Sequence, residues 1–428
     1  MDRLLIIADD FTGALDTGIQ FTKMGIRARI VTDYRYDFGQ LRTEDSLLSV
    51  STDTRPRSPK EAYDRVFQLA VNARRAGFQY VYKKTDSGLR GNIGMELKAV
   101  MDAYEQQAIA FIPAFPRLNR ITRGGLQYID GIPVKESVFG KDPFEPVRYS
   151  DIGEIIGSQT DMKIVKVSRG DWRQIDWESG REQTVFLLDA ETDADLAAIA
   201  GMLKEQNRMV VIAGCAGFAA NYDQMLRFKK GNPHYMQESD GLFALCGSVN
   251  QITVDQVNYA KDFGFVRAHL SNRQKLGIGE RTPEEDREFF DALYRQVSGT
   301  DKYILDTLDV PGEETAEAFA GRNGMSLSDI RFRIADSLGR IAMEMVNRGL
   351  NYTISMTGGD TLMGFMNHIG KTELVPICEI GKGAVLSAMR WNGKRIQVIS
   401  KSGGFGEENI FVQMYDTVIN FKKGDRDE

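Results

Sequence analysis

Three cysteines and three histidines in 428 residues leave little material for a metal or disulfide framework. Cys215, Cys246 and Cys378 form no CxxC pair, and His234, His269 and His368 are scattered, so reduced thiols and no zinc site are expected. No uncharged apolar run is long enough to cross a bilayer. The first run, Leu4 to Ala8, stops at Asp9-Asp10, too short for a secretory leader. A cytoplasmic protein without a membrane partner is the expectation. Basic blocks are also missing: the net charge is −6 and basic residues gather only in short pairs such as Lys229-Lys230, which argues against nucleic acid. Neither GxxxxGK(S/T) nor GxGxxG occurs, so P-loop and ordinary dinucleotide-fold readings lose their support. No repeat of fixed period and no low-complexity segment is present.

What the chain does have is alternation. Hydrophobic residues make up 42% of it, enough for the cores of two or three domains. In the first half, short apolar runs alternate with helical patterns, the mark of βαβ units and a doubly wound, mainly parallel sheet. LLIIA (4–8) precedes a helix from about Gly13 to Met24, then ARIVT (28–32) and SLLSV (46–50). Ser58-Pro59-Lys60-Glu61 writes the next helix start, with Ser as cap, Pro in the first turn and Glu completing a capping box. FQYVYK (78–83), a helix over 92–105 and AIAFIPA (108–114) continue the pattern. Periodicity lapses around 229–233, which sets a boundary between domains 1–235 and 236–428. The second half repeats the logic with LFALC (242–246), YILDTL (303–308), a helix from about Ser326 to Asn347, YTISM (352–356) and RIQVIS (395–400). Residues 273–285 read as a loop and the tail from Lys422 as frayed.

In open α/β sheets, ligands bind beyond the carboxyl ends of the strands. Four consecutive strands of the first domain end in polar or turn-forming clusters: Asp9-Asp10, Thr52 to Arg55, Lys83 to Gly91, and Pro113 to Pro116 followed by Arg120. Arg55, Arg90 and one of Lys83 or Lys84 suit an anionic group, while aspartates accept hydrogen bonds from hydroxyls. A small polyhydroxy acid satisfies both sets. The plainer alternative is that Asp9 or Asp10 merely caps a helix and Arg90 is a solvated charge.

The second domain ends its strands differently. Cys246-Gly247-Ser248-Val249-Asn250, Thr357-Gly358-Gly359-Asp360-Thr361 and Lys401-Ser402-Gly403-Gly404-Phe405-Gly406 are small and glycine-rich. Such loops turn tightly and present N–H groups to an anion beside a helix N-terminus, which favours a nucleotide over a plain connection.

The ordered set ADDFTGALDTG (8–18), KKTDSGLRGNIG (83–94), PAFPRLNRITRGGLQYIDGIPV (113–134), GSVNQITVDQ (247–256), TGGDT (357–361) and KSGGFG (401–406) resembles the four-carbon acid sugar kinase family, over essentially the whole chain. The resemblance implies two α/β domains with a cleft between them: an N-terminal doubly wound substrate domain and a C-terminal nucleotide-binding domain. It also implies ATP-dependent phosphorylation of threonate, erythronate or their oxo relatives, and phosphoryl transfer usually needs Mg²⁺ as well. Carried over, it puts the sugar acid on Asp9, Asp10, Arg55, Lys84, Thr85, Asp86, Ser87 and Arg90. ATP falls on Ser248, Gly358, Gly359, Asp360, Thr361, Gly403 and Gly404, to which the strand-end reading adds Thr357 and Lys401. Three positions depart from the family pattern: Gly88 replaces a hydroxyl residue, Asn119 a glycine and Cys215 a serine.

The expected partners are therefore a small sugar acid and ATP, with self-association into a homo-oligomer left open. Asp360, Asp86 and Asp10 are the candidates for the proton acceptor, since each stands at a strand end beside a proposed ligand loop; a carboxylate there can equally hold Mg²⁺ or orient a hydroxyl. A non-catalytic sensor of sugar acid or nucleotide is the alternative reading. A nicotinamide-dependent sugar-acid dehydrogenase is a weaker one, because its fingerprint is missing.

Overall fold

The computed structural model describes residues 2–42, 45–142, 145–178, 182–231, 236–248, 250–277 and 282–424. It divides into two compact units, Met1–Pro233 and His234–Glu428. The stretch 232–235 and the tail 425–428, both used in the sequence reading, lie outside the described residues, as does Val249.

In the first unit, strands β1 (Leu4–Ala8), β2 (Ala28–Val31), β3 (Leu47–Ser51), β4 (Tyr80–Lys84) and β5 (Ala108–Ile112) alternate with helices α1 (Phe11–Lys23), α2 (Pro59–Arg75) and α3 (Ile93–Ala103). A small antiparallel sheet follows, of β6 (Arg120–Arg123), β7 (Leu126–Ile129) and β8 (Ile132–Pro133). Then come α4 (Ile152–Gly157), β9 (Lys163–Val167), β10 (Thr184–Leu188), α5 (Asp193–Glu205), β11 (Val211–Gly214), α6 (Ala216–Ala219) and α7 (Tyr222–Met225). The main sheet runs β2-β3-β1-β4-β11-β5-β10-β9, with every pairing parallel.

The alternation of side chains along a strand explains why the sheet is covered on both faces. Leu5, Ile7 and Val81 belong to one core with Val66, Leu69 and Leu97 of α2 and α3. Leu4, Ile6 and Tyr82 belong to the opposite core with Leu196, Ile199 and Phe218 of α5 and α6. The second helix starts as its sequence states: Ser58 accepts from the Glu61 N–H and Glu61 reaches back, with Pro59 in the first turn. α1 begins at Phe11, not near Gly13, because Asp10 is the cap and Gly13 supplies the N–H that its side chain accepts.

The second unit contains β12 (Leu242–Cys246), α8 (Gln251–Asp262), β13 (Val266–His269), α9 (Asn272–Leu276), α10 (Pro283–Ser298), β14 (Lys302–Asp306), α11 (Ala316–Arg322), α12 (Leu327–Asn347), β15 (Thr353–Thr357) and α13 (Gly359–His368). It ends with β16 (Glu373–Gly381), β17 (Ala384–Trp391), β18 (Lys394–Lys401) and α14 (Ile410–Gly424). Its strands run β13-β14-β12-β15-β18-β17-β16. Pairings are parallel up to β18, while β17 is antiparallel to both β18 and β16.

The segment 273–285 is a correction. Ser271 with Gln274 and Thr282 with Glu285 are capping boxes, so most of that supposed loop belongs to α9 and α10, with residues 278–281 outside the described set. Among the described residues no helix is long and apolar enough to cross a membrane.

Candidate functional site

β1 stands between β3 and β4, and the chain leaves it first toward one side of the sheet and later toward the other. Its carboxyl end is thus a topological switch point, where neighbouring loops part and leave room for a ligand. Asp9 and Asp10 follow β1, Thr52 to Arg55 follow β3, and Thr85 to Arg90 follow β4.

Arg55 ties these three ends together. Its Nε donates to Asp9 Oδ2 at 2.8 Å, its Nη1 lies 3.0 Å from Asp10 Oδ2, and its Nη2 lies 3.9 Å from Asp86 Oδ1. Burial opposes charge on Arg55, but Asp10, Asp9 and Asp86 outweigh it and hold the guanidinium firmly protonated. Arg55 is therefore the organiser of a carboxylate cluster. Burial likewise pushes Asp9 up, and Arg55, Lys84 and Lys83 overcome it to leave the carboxyl below its ordinary range. Asp9 Oδ1 is buried and has no hydrogen-bond partner among the described residues. An orphaned carboxylate oxygen of this kind is costly unless something donates to it, and a hydroxyl is a donor of the right kind.

Arg90 is engaged on two sides. Its Nε donates to Asp86 Oδ2 at 2.8 Å and its Nη1 to Asp142 Oδ2 at 3.0 Å. Burial raises the Asp86 carboxyl, but Arg55 and Arg90 drive it far below the usual carboxylate range. Asp10 has two tasks, accepting from the Gly13 N–H at 2.8 Å and pairing with Arg55. Thr85 spends its hydroxyl on the Gly214 carbonyl, and Ser87 accepts from Arg120.

The choice between Lys83 and Lys84 follows from strand alternation. Lys83 faces α3, fully buried, with its Nζ 2.7 Å from Glu96 Oε2 and donating to the carbonyls of Ile7 and Lys84. Lys84 faces α1: a Cβ added to Gly13 would come within 2.9 Å of its Nζ. That ammonium donates to the Thr85 carbonyl at 2.8 Å and makes no ion pair among the described residues, so two of its three donors remain for an anion.

Sequence reasoning missed Glu96, Asn92 and Asp142. Glu96 accepts from Thr54 as well as Lys83, and burial raises its carboxyl against the pull of Lys83. Asn92 donates to the Thr54 and Arg57 carbonyls and so pins the loop carrying Arg55. Glu96 was findable: it shares the apolar face of α3 with Ile93 and Val100, an acid where a helix should be greasy. The four-strand reading needs one adjustment, because β11 lies between β4 and β5 and Arg120 reaches Ser87 only by returning on β6. Two of the departures are explained locally. Asn119 has φ 52°, a left-handed conformation that asparagine tolerates in place of glycine. The Cys215 thiol is buried and donates to the Ala114 carbonyl.

In the second unit three loops meet at the carboxyl ends of β12, β15 and β18. Gly358 N donates to the Lys401 carbonyl at 2.8 Å, and Thr361 Oγ1 donates to the Thr357 carbonyl at 3.1 Å. Gly403 lies against Ser248, so that a Cβ there would collide with the Ser248 hydroxyl. Thr253 of α8 donates to the Gly403 carbonyl at 2.9 Å, and Gln256 Nε2 holds the carbonyls of Gly406 and Glu407 at 2.9 and 3.0 Å. Lys401 is buried beneath them, donating to the Ser402 carbonyl at 3.0 Å, and burial pulls its ammonium down to about 8. Asp360, in the first turn of α13 after Gly358 and Gly359, is half-exposed and pairs with Arg331. Among the described residues no group of three or more His, Cys, Asp or Glu is arranged to hold a metal ion.

Comparison with known proteins follows this division. Residues 4–222 match the family described as a sugar-binding N-terminal domain, and residues 243–411 match the one described as a nucleotide-binding C-terminal domain. The chain is 25% identical to a D-threonate kinase of Salmonella typhimurium over 95% of its own length and 96% of that protein. It is 26% identical to a D-erythronate kinase of Heliobacterium modesticaldum, covering 89% of this chain and 90% of the other. A 3-oxo-tetronate kinase of Methylobacterium radiotolerans is 25% identical, with 96% and 98% covered. In fold it is similar to a Salmonella typhimurium protein described as a putative tRNA synthase, with a TM-score of 0.80 at 20% identity over 97% of this chain and 99% of that one. A Haemophilus influenzae protein gives 0.74 at 19% identity, with 96% and 98% covered.

Proposed function

Since the chain belongs to the family that joins a sugar-binding N-terminal domain to a nucleotide-binding C-terminal domain, we propose that it is an ATP-dependent kinase acting on a hydroxyl of a four-carbon sugar acid, of the threonate, erythronate or oxo-tetronate type. The observation that carries this reading is the switch-point cluster: a buried carboxylate oxygen on Asp9 that needs a donor, beside a buried ammonium on Lys84 that needs an anion. A polyhydroxy acid supplies both. Near-full-length similarity to kinases of three such acids points the same way.

Domain 1–235 is assigned the sugar acid and domain 236–428 the nucleotide. In the first, Lys84, with Arg90 and Arg55 behind it, takes the carboxylate, while Asp9, Asp10 and Asp86 take hydroxyls. The firmly ionised Asp86 is a poor proton acceptor and serves to orient a hydroxyl. The proton of the attacking hydroxyl goes to Asp10 or Asp360, which single substitutions distinguish. Phosphoryl transfer through a loose transition state asks more for alignment and charge neutralisation than for a strong base. In the second domain, the N–H groups of Gly358, Gly359, Gly403 and Gly404 with Ser248, Thr357, Thr361 and Lys401 cradle the phosphates. Mg²⁺ is commonly held by one or two carboxylates together with substrate phosphates, and Asp360, half-exposed in the first turn of α13, is the carboxylate that would take that place. The ion, when bound, neutralises charge on the phosphates.

The test is ADP release from Mg-ATP with D- and L-threonate, D- and L-erythronate and the oxo-tetronates, against a control without acid. Acid-dependent release on one compound supports the kinase and names its substrate. ATP binding without release on any of them supports the sensor reading instead.

A further inference from the structure

One aromatic ring in the first unit, that of Phe139, touches Arg90, Arg120 and Gly88 at once. Phe139 lies half-buried on the segment between β8 and α4, with its ring centroid 5.1 Å from Arg90 Cζ and 5.0 Å from Arg120 Cζ. The ring is pressed against Gly88, where an added Cβ would come within 2.6 Å of three ring carbons. The backbone on either side fixes it: Phe139 N donates to Ser137 Oγ at 3.1 Å, and its carbonyl accepts from the Val147 N–H at 3.0 Å. The two cations it touches are those that grip the loop after β4, Arg90 through Asp86 and Arg120 through Ser87. Arg90 is also held by Asp142, three residues beyond the ring.

We propose that Phe139 is a positioning residue for the acid substrate. Its face fixes the planes of the Arg90 and Arg120 guanidinium groups, and its contact with Gly88 sets the space above the Thr85 to Arg90 loop, and with it which sugar acid fits. The physical basis is that a guanidinium stacked on an aromatic face keeps its fork of donors in one orientation, whereas a free arginine side chain spreads over many rotamers. Glycine at 88 is the condition for the ring's seat, because any side chain there occupies the same volume. The inference rests on the sugar-acid kinase reading.

The experiment is steady-state kinetics of Phe139→Leu, Phe139→Ala, Gly88→Ala and the double variant Gly88→Ala/Phe139→Ala on the acid panel, with thermal midpoints measured alongside. Phe139→Ala is expected to raise the KM for the acid by about tenfold or more and to change the ratio of kcat/KM between two acids, with the KM for ATP within about twofold. Phe139→Leu, which keeps most of the volume but not the ring face, gives a smaller shift in the same direction and serves if the alanine variant does not fold. Gly88→Ala reproduces the defect, and the double variant is no worse than Phe139→Ala alone, because the added methyl collides only when the ring is present. Unchanged acid KM in Phe139→Leu and Phe139→Ala, equal rises for acid and ATP, or simple additivity of the Gly88 and Phe139 effects overturns the inference while leaving the kinase intact. Absence of acid-dependent ADP release from the wild-type protein overturns the sugar-acid reading, and this inference with it.

Discussion

Lys83 Nζ and Glu96 Oε2 lie 2.7 Å apart at a point where neither side chain touches solvent. The next residue along β4, Lys84, turns its ammonium to the opposite face of the sheet and toward α1. Two adjacent lysines thus take different places, one paired inside the core and one beside the carboxyl end of β1 without an ion pair among the described residues.

The buried pair should respond asymmetrically to truncation. Glu96→Ala leaves a buried ammonium without its carboxylate, held only by the Ile7 and Lys84 carbonyls, which costs about 3–5 kcal/mol. Lys83→Met costs less, because burial already raises the Glu96 carboxyl and it accepts a proton readily. Urea unfolding of both variants checks the order; a more damaging Lys83→Met contradicts it.

Lys84→Ala should raise the KM for the sugar acid at least tenfold and leave the KM for ATP nearly unchanged, as expected for loss of one charge-assisted contact worth about 1.5–3 kcal/mol. Arg90→Ala should do the same with an added loss of order in its loop, since it also releases Asp86 and Asp142. If either variant keeps wild-type acid kinetics, that residue does not touch the substrate.

Nucleotide use should depend on pH through Lys401. Burial places its ammonium at about 8, below the ordinary lysine range, so it carries its charge below that pH and loses it above. Phosphates favour the charged form, hence kcat/KM for ATP is expected to fall as pH rises past about 8. Lys401→Met should give a low value without that inflection. The stability effect has its own sign: the unfolded chain binds the proton more tightly between about 8 and the ordinary lysine value, so this residue adds stability as pH climbs through that window.

Gly403→Ala brings a methyl group onto the Ser248 hydroxyl. The expected result is weaker ATP binding by calorimetry with unchanged binding of the acid. Asp360→Ala, by contrast, touches nothing buried, so it should spare the thermal midpoint and lower kcat by more than tenfold if the carboxylate serves ATP or its metal ion.

Acid unfolding should reflect Asp86 and Asp9. Both carboxyls are held below their ordinary range, so their stabilisation is present above about pH 4 and is lost as pH falls through the lower native values. Asp86→Asn should flatten the low-pH limb of the stability curve; an unchanged slope between about pH 2 and 4 would refute the assignment.

Much of this site is readable from the chain because its signals are local. The Ser58 box, the run at β1 and the polar strand ends each need only a few neighbouring residues. The capping boxes at Ser271 and Thr282 were equally readable, yet the lack of an apolar period around them suggested a loop. Asn392-Gly393 between apolar runs is a strong hairpin signal, and both residues have the positive φ that joins β17 to β18. Partnerships across the fold are a different matter. Nothing near Arg55 in sequence announces that three carboxylates will surround it, or that Asp142 will reach Arg90. Strand order is equally hidden: β11 enters between β4 and β5 from a hundred residues further along the chain.

The lysine doublet also guards against misthreading. Side chains alternate along a strand, so sliding β4 by one residue between β1 and β11 would turn Lys83 toward α1 and Lys84 toward α3 or beyond it, and would exchange Val81 with Tyr82 between two cores of different shape. Glu96 would face a gap or a mispositioned cation, and a buried carboxylate without its partner is a heavy penalty. A strand of five apolar or amphipathic residues is otherwise easy to slip. Here a single ion pair makes the wrong alignment expensive, so the group that is withheld from the ligand is what makes the placement of its neighbour reproducible each time the chain folds.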